Sequence, residues 1–269
     1  MNASLARGKG EDRLPTLPAV VARLITTYSR ENYSLSDIVE ILEHDPAISS
    51  RILKLANSMF YGLSGDVRSV GGAVMLLGAA TVQGLALGAS LLKPWEEKLA
   101  PKAVRDIWTH SYLTAEGAKG FAAEEGTVDA NLMFTAGLLH DVGKIIFLKR
   151  DPVFYAEMLE VSGTGPELLE AESNHFGENH RTAGCEALKR WGLPPVAQAM
   201  AIVRGVGEVR TDIRKETSVF VAAHDLLTGR ENGAELNSFG AAAVEKLRLR
   251  LWGSLEAAEA FYLSISGAE

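Results

Sequence analysis

Within Thr135-Ala-Gly-Leu-Leu-His-Asp-Val-Gly-Lys144, two residues of metal-ligand type, His140 and Asp141, and a cation interrupt an otherwise apolar run. Neutral imidazole and carboxylate ligate zinc, iron or manganese, and a lysine one turn further on could neutralise a phosphate held by such a metal. Asp129 can cap a helix here, and Met133, Ala136, Gly137, His140 and Lys144 then recur at three- and four-residue spacing. The spacing predicts one helix from about Asp129 to Phe147 whose core-facing stripe carries ionisable groups. Left unpaired in a core, these would cost several kcal/mol or more, so a partner or an ion is expected.

The whole chain must supply the elements that hold such a site. Its 269 residues can bury one large core or two modest ones, and 47% apolar composition is ordinary for a soluble globular protein. The net charge of −7, with Lys and Arg scattered, excludes a basic stripe for nucleic acid or an anionic membrane. One cysteine, Cys185, excludes an internal disulfide framework and fits a reducing compartment, so a cytoplasmic location is expected. The stretch Met1 to Asp12 lacks the apolar core of a secretory signal, and Val82 to Leu92 is too short and glycine-rich to span a bilayer.

Strand signals are scarce, and proline and glycine divide the chain into helical blocks, which predicts an all-α fold. Expected helices run over Ala19–Tyr28, from a Ser34 or Ser36 cap to Glu43, and from the Asp45-Pro46 start through Ile48, Ile52, Leu55, Ala56 and Met59. Val67 to Leu77 ends at Gly78, and a small-residue helix follows from Ala79 to Leu92. Pro94 and Pro101 bracket a polar hinge. Beyond it, helices are expected at Ala103–Glu125, Asp129–Phe147, Pro152–Val161, Glu167–His175, Asn179–Trp191, from Pro194-Pro195, at Glu216–Thr228, Phe239–Leu251 and Leu255–Ile265. The expected organisation is a flexible start at 1–12, an N-terminal helical subdomain at 13–95, a second helical subdomain at 96–236 and a helical extension at 237–269.

In this order, Leu14-Pro-Thr-Leu-Pro18, Asp45-Pro-Ala-Ile-Ser49, Leu55-Ala-Asn-Ser58, Leu77-Gly78, Gly177 to His180 and Trp191-Gly-Leu-Pro194 resemble the signposts of HDOD-domain proteins. These are a signalling offshoot of the HD metal-dependent phosphohydrolase superfamily. The resemblance implies a helical bundle in which a histidine, the His-Asp pair and a late aspartate converge on a divalent metal such as iron, zinc or manganese. The matching positions are His110, His140, Asp141 and Asp225, and His180 resembles a histidine with which dinuclear members reach a second metal. Many HDOD proteins have lost this motif, whereas this chain keeps it. The adjacent His-His and Gly-Tyr-Pro of cyclic-dinucleotide phosphodiesterases are replaced here by Val203-Arg204 and by nothing matching Gly-Tyr-Pro.

Two readings follow. The first is a non-enzymatic HDOD regulatory module that binds signalling proteins and, at the retained site, a metal or a phosphate-containing small ligand. The second is a mononuclear phosphohydrolase in which Asp141 orients a water and Lys144 holds the phosphate. A bland alternative makes His140-Asp141 a buried polar pair that joins helices through Lys144 or His110. His175 and His224 are expected to face solvent or a neighbouring carboxylate, His44 is a surface residue, and Arg204 forms an exposed ion pair. Asn57 and Ser58 should end their helix and tie it to the following loop.

Overall fold

A computed structural model describes residues 19–28, 32–58, 61, 67–92, 101–163, 165–203, 213–230 and 233–266. The expectations for Leu14 to Pro18, Met59, the hinge at Pro94 and Arg204 lie outside these residues. Among the described residues there are sixteen helices and no strand.

The first five are α1 (Ala19–Tyr28), α2 (Leu35–Glu43), α3 (Pro46–Ala56), α4 (Val70–Leu77) and α5 (Ala79–Leu92). Their starts follow the sequence closely. Ser34 and Asp37 form a reciprocal capping box on α2, and Asp45 accepts from the amides of Ala47 and Ile48 ahead of Pro46. Asn57 ends α3 as expected. Its side-chain amide donates to Leu53 O and Val67 O while its oxygen accepts from Val67 N at 2.8 Å, which ties the helix to the segment entering α4. Gly78, at φ +81°, separates α4 from α5.

The next elements are α6 (Pro101–Glu125), α7 (Ala130–Leu139), α8 (Val142–Arg150), α9 (Pro152–Ser162), α10 (Pro166–Phe176), α11 (His180–Arg190), α12 (Pro195–Met200) and α13 (Arg214–Leu227). Long α6 is the axle, with α7 and α13 packed along it. The single helix expected from Asp129 to Phe147 is broken at His140-Asp141. Asp141 leaves helical geometry at φ −104°, ψ 16°, and the imidazole of His140 turns back to Gly137 O, the carbonyl that a continuous helix would offer to the Asp141 amide. Residues 130–150 are apolar enough to cross a membrane, but most of them are buried in this core.

Two glycines set the helix spacing around that break. A Cβ on Gly137 would lie 2.6 Å from Ala115 Cα on α6, and one on Gly143 would lie 1.8 Å from His180 O on α11. Both contacts require backbone-to-backbone packing that a larger residue would prevent.

The chain closes with α14 (Ala234–Ser238), α15 (Ala241–Gly253) and α16 (Leu255–Ser266). The five-residue α14 is too short to show a period and has no counterpart in the sequence reading. The last helices return to the bundle: α15 lies on α6, and α16 lies on α6, α5 and α3. Phe261 and Ile265 are fully buried, Phe261 beside Trp108 and Tyr112, and Arg51 on α3 donates to Ile265 O at 2.5 Å. One apolar cluster therefore runs unbroken from Leu24 through Ile52, Leu85, Phe121, Phe134 and Phe220 to Ile265.

Candidate metal centre

The turn between α7 and α8 presents His140 and Asp141, both buried, at the centre of a ring of side chains from four other positions. His140 Nδ1 lies 2.6 Å from Gly137 O. A carbonyl only accepts, so Nδ1 carries the proton and the Nε2 lone pair points into the cluster, 3.4 Å from Asp141 Oδ2. From the first turn of α8, Lys144 Nζ reaches the same oxygen at 2.6 Å. From α6, His110 Nε2 stands 3.9 Å away from it.

His180, the first residue of α11, approaches from the other side, with Nε2 3.8 Å from Asp141 Oδ1. Its orientation is fixed by Glu172 of α10, a fully buried carboxylate. Glu172 accepts from His180 Nδ1 at 2.8 Å, from the His180 amide at 2.9 Å and from Tyr155 Oη at 2.5 Å. Burial pushes His180 below the ordinary imidazole pKa, against the opposing pull of Glu172. The buried Tyr155 phenol is pushed far up by desolvation and then by that carboxylate. Glu172 carries no motif, but the left-handed Gly177 that stops α10 turns the chain so that Glu172 lies beside the start of α11.

Asp225 makes no ion pair with the histidines of the cluster among the described residues. It is buried on α13 but sits against the connection to α14, so close to Gly233 that a Cβ there would lie 2.2 Å from Asp225 Oδ2. Desolvation raises its carboxyl pKa, and the charges it feels are Arg230 and Glu235. The neighbouring residue, His224, faces the cluster; successive residues on a helix point about 100° apart. Its ring stands 5.4 Å from that of His110 and 5.8 Å from that of His140. His224 is therefore turned inward, contrary to the expectation of solvent or a carboxylate. Its spacing from the buried Thr217, Phe220 and Val221 carried that signal.

Among the described residues, His110, His140 and His224 offer three nitrogens within 4.8 Å of one another. Nitrogens sharing a metal at about 2.1 Å lie roughly 3.3 Å apart, so binding asks the rings to draw in by up to about 1.5 Å. With Asp141 beside them, this nitrogen-rich set with one carboxylate fits a first-row divalent ion such as iron, zinc or manganese. A cavity of about 280 Å³ leads in from solvent to His110, Asp141 and Lys144. Ile107, Ala156 and Leu159 give it an apolar wall, and at its rim Lys102 bridges Glu160 at 3.4 Å and Asp106 at 3.7 Å.

Residues 14–203, from the opening Leu-Pro through the Trp-Gly-Leu-Pro turn, match the HDOD domain family. The chain belongs to that family. An uncharacterized protein from Treponema pallidum (strain Nichols) is 27% identical to this HDOD chain over 192 residues, 68% of the chain and 36% of that protein. The chain thus spans about a third of that relative's length. Among solved structures, a candidate signal transduction protein from Marinobacter aquaeolei VT8 superposes with a TM-score of 0.78 at 23% identity, covering 94% of this chain and 60% of that one. A candidate phosphohydrolase from Shewanella amazonensis SB2B gives 0.70 at 21% identity, covering 94% and 96%. These likenesses establish the all-α HD-type fold of the HDOD chain.

Proposed function

We propose that this HDOD chain is a cytoplasmic regulatory module that holds a divalent metal at the histidine cluster and a phosphate-containing small ligand in the cavity before it. Its helical surface would report occupancy to signalling proteins. The observation that supports this reading is the histidine cluster itself: nitrogens of His110, His140 and His224 lie within 4.8 Å of one another, with Asp141 beside two of them. Asp141 is itself engaged by Lys144, so a base for turnover is poorly provided, while the ligands for binding are in place. When bound, the ion would supply Lewis acidity toward a phosphate oxygen. Around it, His110, His140 and His224 would hold it, Glu172 would keep His180 oriented, and Lys144 would meet the anion from the cavity wall.

Metal analysis of protein purified without a polyhistidine tag tests the site. The expected result is near one equivalent of metal, lost in His140→Ala and His224→Ala and retained in Asp225→Asn. Retention in His224→Ala with loss in Asp225→Asn would return the aspartate to the ligand set. A nucleotide and phosphomonoester panel is expected to show no turnover above the Asp141→Ala control. The second reading, a mononuclear phosphohydrolase, is favoured by the open approach to Asp141 and Lys144. Rapid hydrolysis abolished by His140→Ala would establish it over the regulatory one.

A further inference from the structure

Three groups converge on one oxygen of the metal centre, Asp141 Oδ2. Lys144 Nζ lies 2.6 Å from it, with both side chains almost wholly buried, while His140 Nε2 stands at 3.4 Å and His110 Nε2 at 3.9 Å from the same atom. The His140 nitrogen turns a lone pair toward a carboxylate lone pair, an arrangement that favours positive charge beside them. Lys144 supplies that charge, and a divalent ion on the two histidines would supply it in the same place. An ion at about 2.1 Å from Oδ2 would lie no more than roughly 4.7 Å from Nζ, near enough in a buried site for the two cations to repel strongly. Lys144 and such an ion are therefore alternatives at Oδ2.

The surroundings give Lys144 a second position. Lys144 and Asp141 both line the cavity of about 280 Å³ that leads in from solvent, so rotation about the flexible lysine stem carries the ammonium from Oδ2 into that space. The helix need not move, and α8 is pinned where Gly143 meets the His180 carbonyl. Asp106 and Glu160 also line the cavity, but they are well exposed and already share Lys102, so they hold a second ammonium only weakly. On Asp141 the charge of Lys144 is engaged by a buried carboxylate, whereas turned outward it is available to an anion in the cavity.

We infer that Lys144 is a two-position cation: it exchanges with a divalent metal for Asp141 Oδ2 and, once displaced, turns into the cavity as the partner of an anion. Metal and anion binding are thereby coupled through one side chain, and the site fills in order, metal first and anion second. This rests on the metal-holding reading above and adds to it how the two ligands depend on each other.

Anaerobic titration calorimetry on the full chain, stripped by chelation and titrated with ferrous iron, zinc or manganese, tests this. Lys144→Met, which keeps the stem and removes the ammonium, should bind the best-held metal at least about tenfold more tightly than the wild type. Lys144→Gln, which keeps a hydrogen-bond donor for Asp141, should shift the affinity in the same direction and serves where the methionine variant folds poorly. Inorganic phosphate is then titrated into each protein with and without one equivalent of that metal. The substitution should weaken phosphate at least about tenfold in the loaded protein and less than about twofold in the stripped one. Equal metal affinity in the wild type and both variants, or phosphate weakened to the same extent with and without metal, would overturn the inference and leave the metal-holding reading standing. Absence of phosphate binding to the loaded wild type would overturn it together with the small-ligand part of that reading, and absence of metal binding in all three proteins would overturn both.

Discussion

Glu172 shows how much of a site can rest on a residue with no motif. It is fully buried and takes three donors, two from His180 and one from Tyr155, so its charge is satisfied without a cation. Such a partner fixes which imidazole nitrogen carries the proton. Glu172→Gln presents an amide N–H2 where an acceptor is required, and it is expected to cost about 1–3 kcal/mol in chemical denaturation. Nitrogen NMR of His180 should then show mixed tautomers in place of one, and a single unchanged tautomer would refute the assignment. At this scale the sequence was uneven as a guide. His140, Asp141 and Lys144 stood out because polar groups in an apolar run are costly, and His110 came with the family resemblance. His224 and Asp225 are neighbours: the family resemblance names the aspartate, and the ring of the histidine is the one that stands beside His110 and His140. Glu172 was invisible because its importance arises only when α10 meets the start of α11.

Helix positions were far easier to read, since caps, proline starts and glycine stops act over a few residues. Ser34, Asp45, Ser69, Asp151 and Asn179 all accept the backbone bonds that their types predict. The break at His140-Asp141 was missed because apolar spacing continues straight across it, and what interrupts the helix is a side chain turned onto the backbone. Contact between elements gives two predictions. Gly143→Ala pushes α8 off the His180 carbonyl and should cost about 2–4 kcal/mol, measured by thermal and urea unfolding; a neutral substitution would mean that the two helices do not touch there. Lys149, also on α8, is held down to about 8 by desolvation. Because its folded pKa lies below its unfolded one, the unfolded chain binds the extra proton, and the penalty is complete below about pH 8 and fades toward pH 10.5. Lys149→Met should therefore gain about 1–3 kcal/mol at pH 7, with the difference from wild type shrinking as pH rises through that window.

Across the whole molecule, the C-terminal helices behave as part of the bundle. The sequence reading set them apart as a helical extension at 237–269, and α16 packs back on helices from early and middle parts of the chain. That packing depends on burial by residues far apart in sequence, which periodicity within α16 cannot reveal. Phe261→Ala opens a cavity where α16 meets Trp108 and Tyr112, and it should cost about 3–5 kcal/mol. With one unbroken core, loss of helicity and of tryptophan fluorescence should remain coincident in that variant, and separate transitions would indicate halves that melt independently. The rim of the site cavity belongs to this scale as well. Lys102 joins α6 to α9 through Glu160 and pairs within its own helix with Asp106, and all three side chains are well exposed. Exposed pairs each hold by about 1 kcal/mol or less and weaken in salt, and exposed side chains reorient within picoseconds to nanoseconds. The doorway thus flickers far faster than helices move, so these ion pairs are a revolving entrance to the cavity and no slow barrier to anything that passes it.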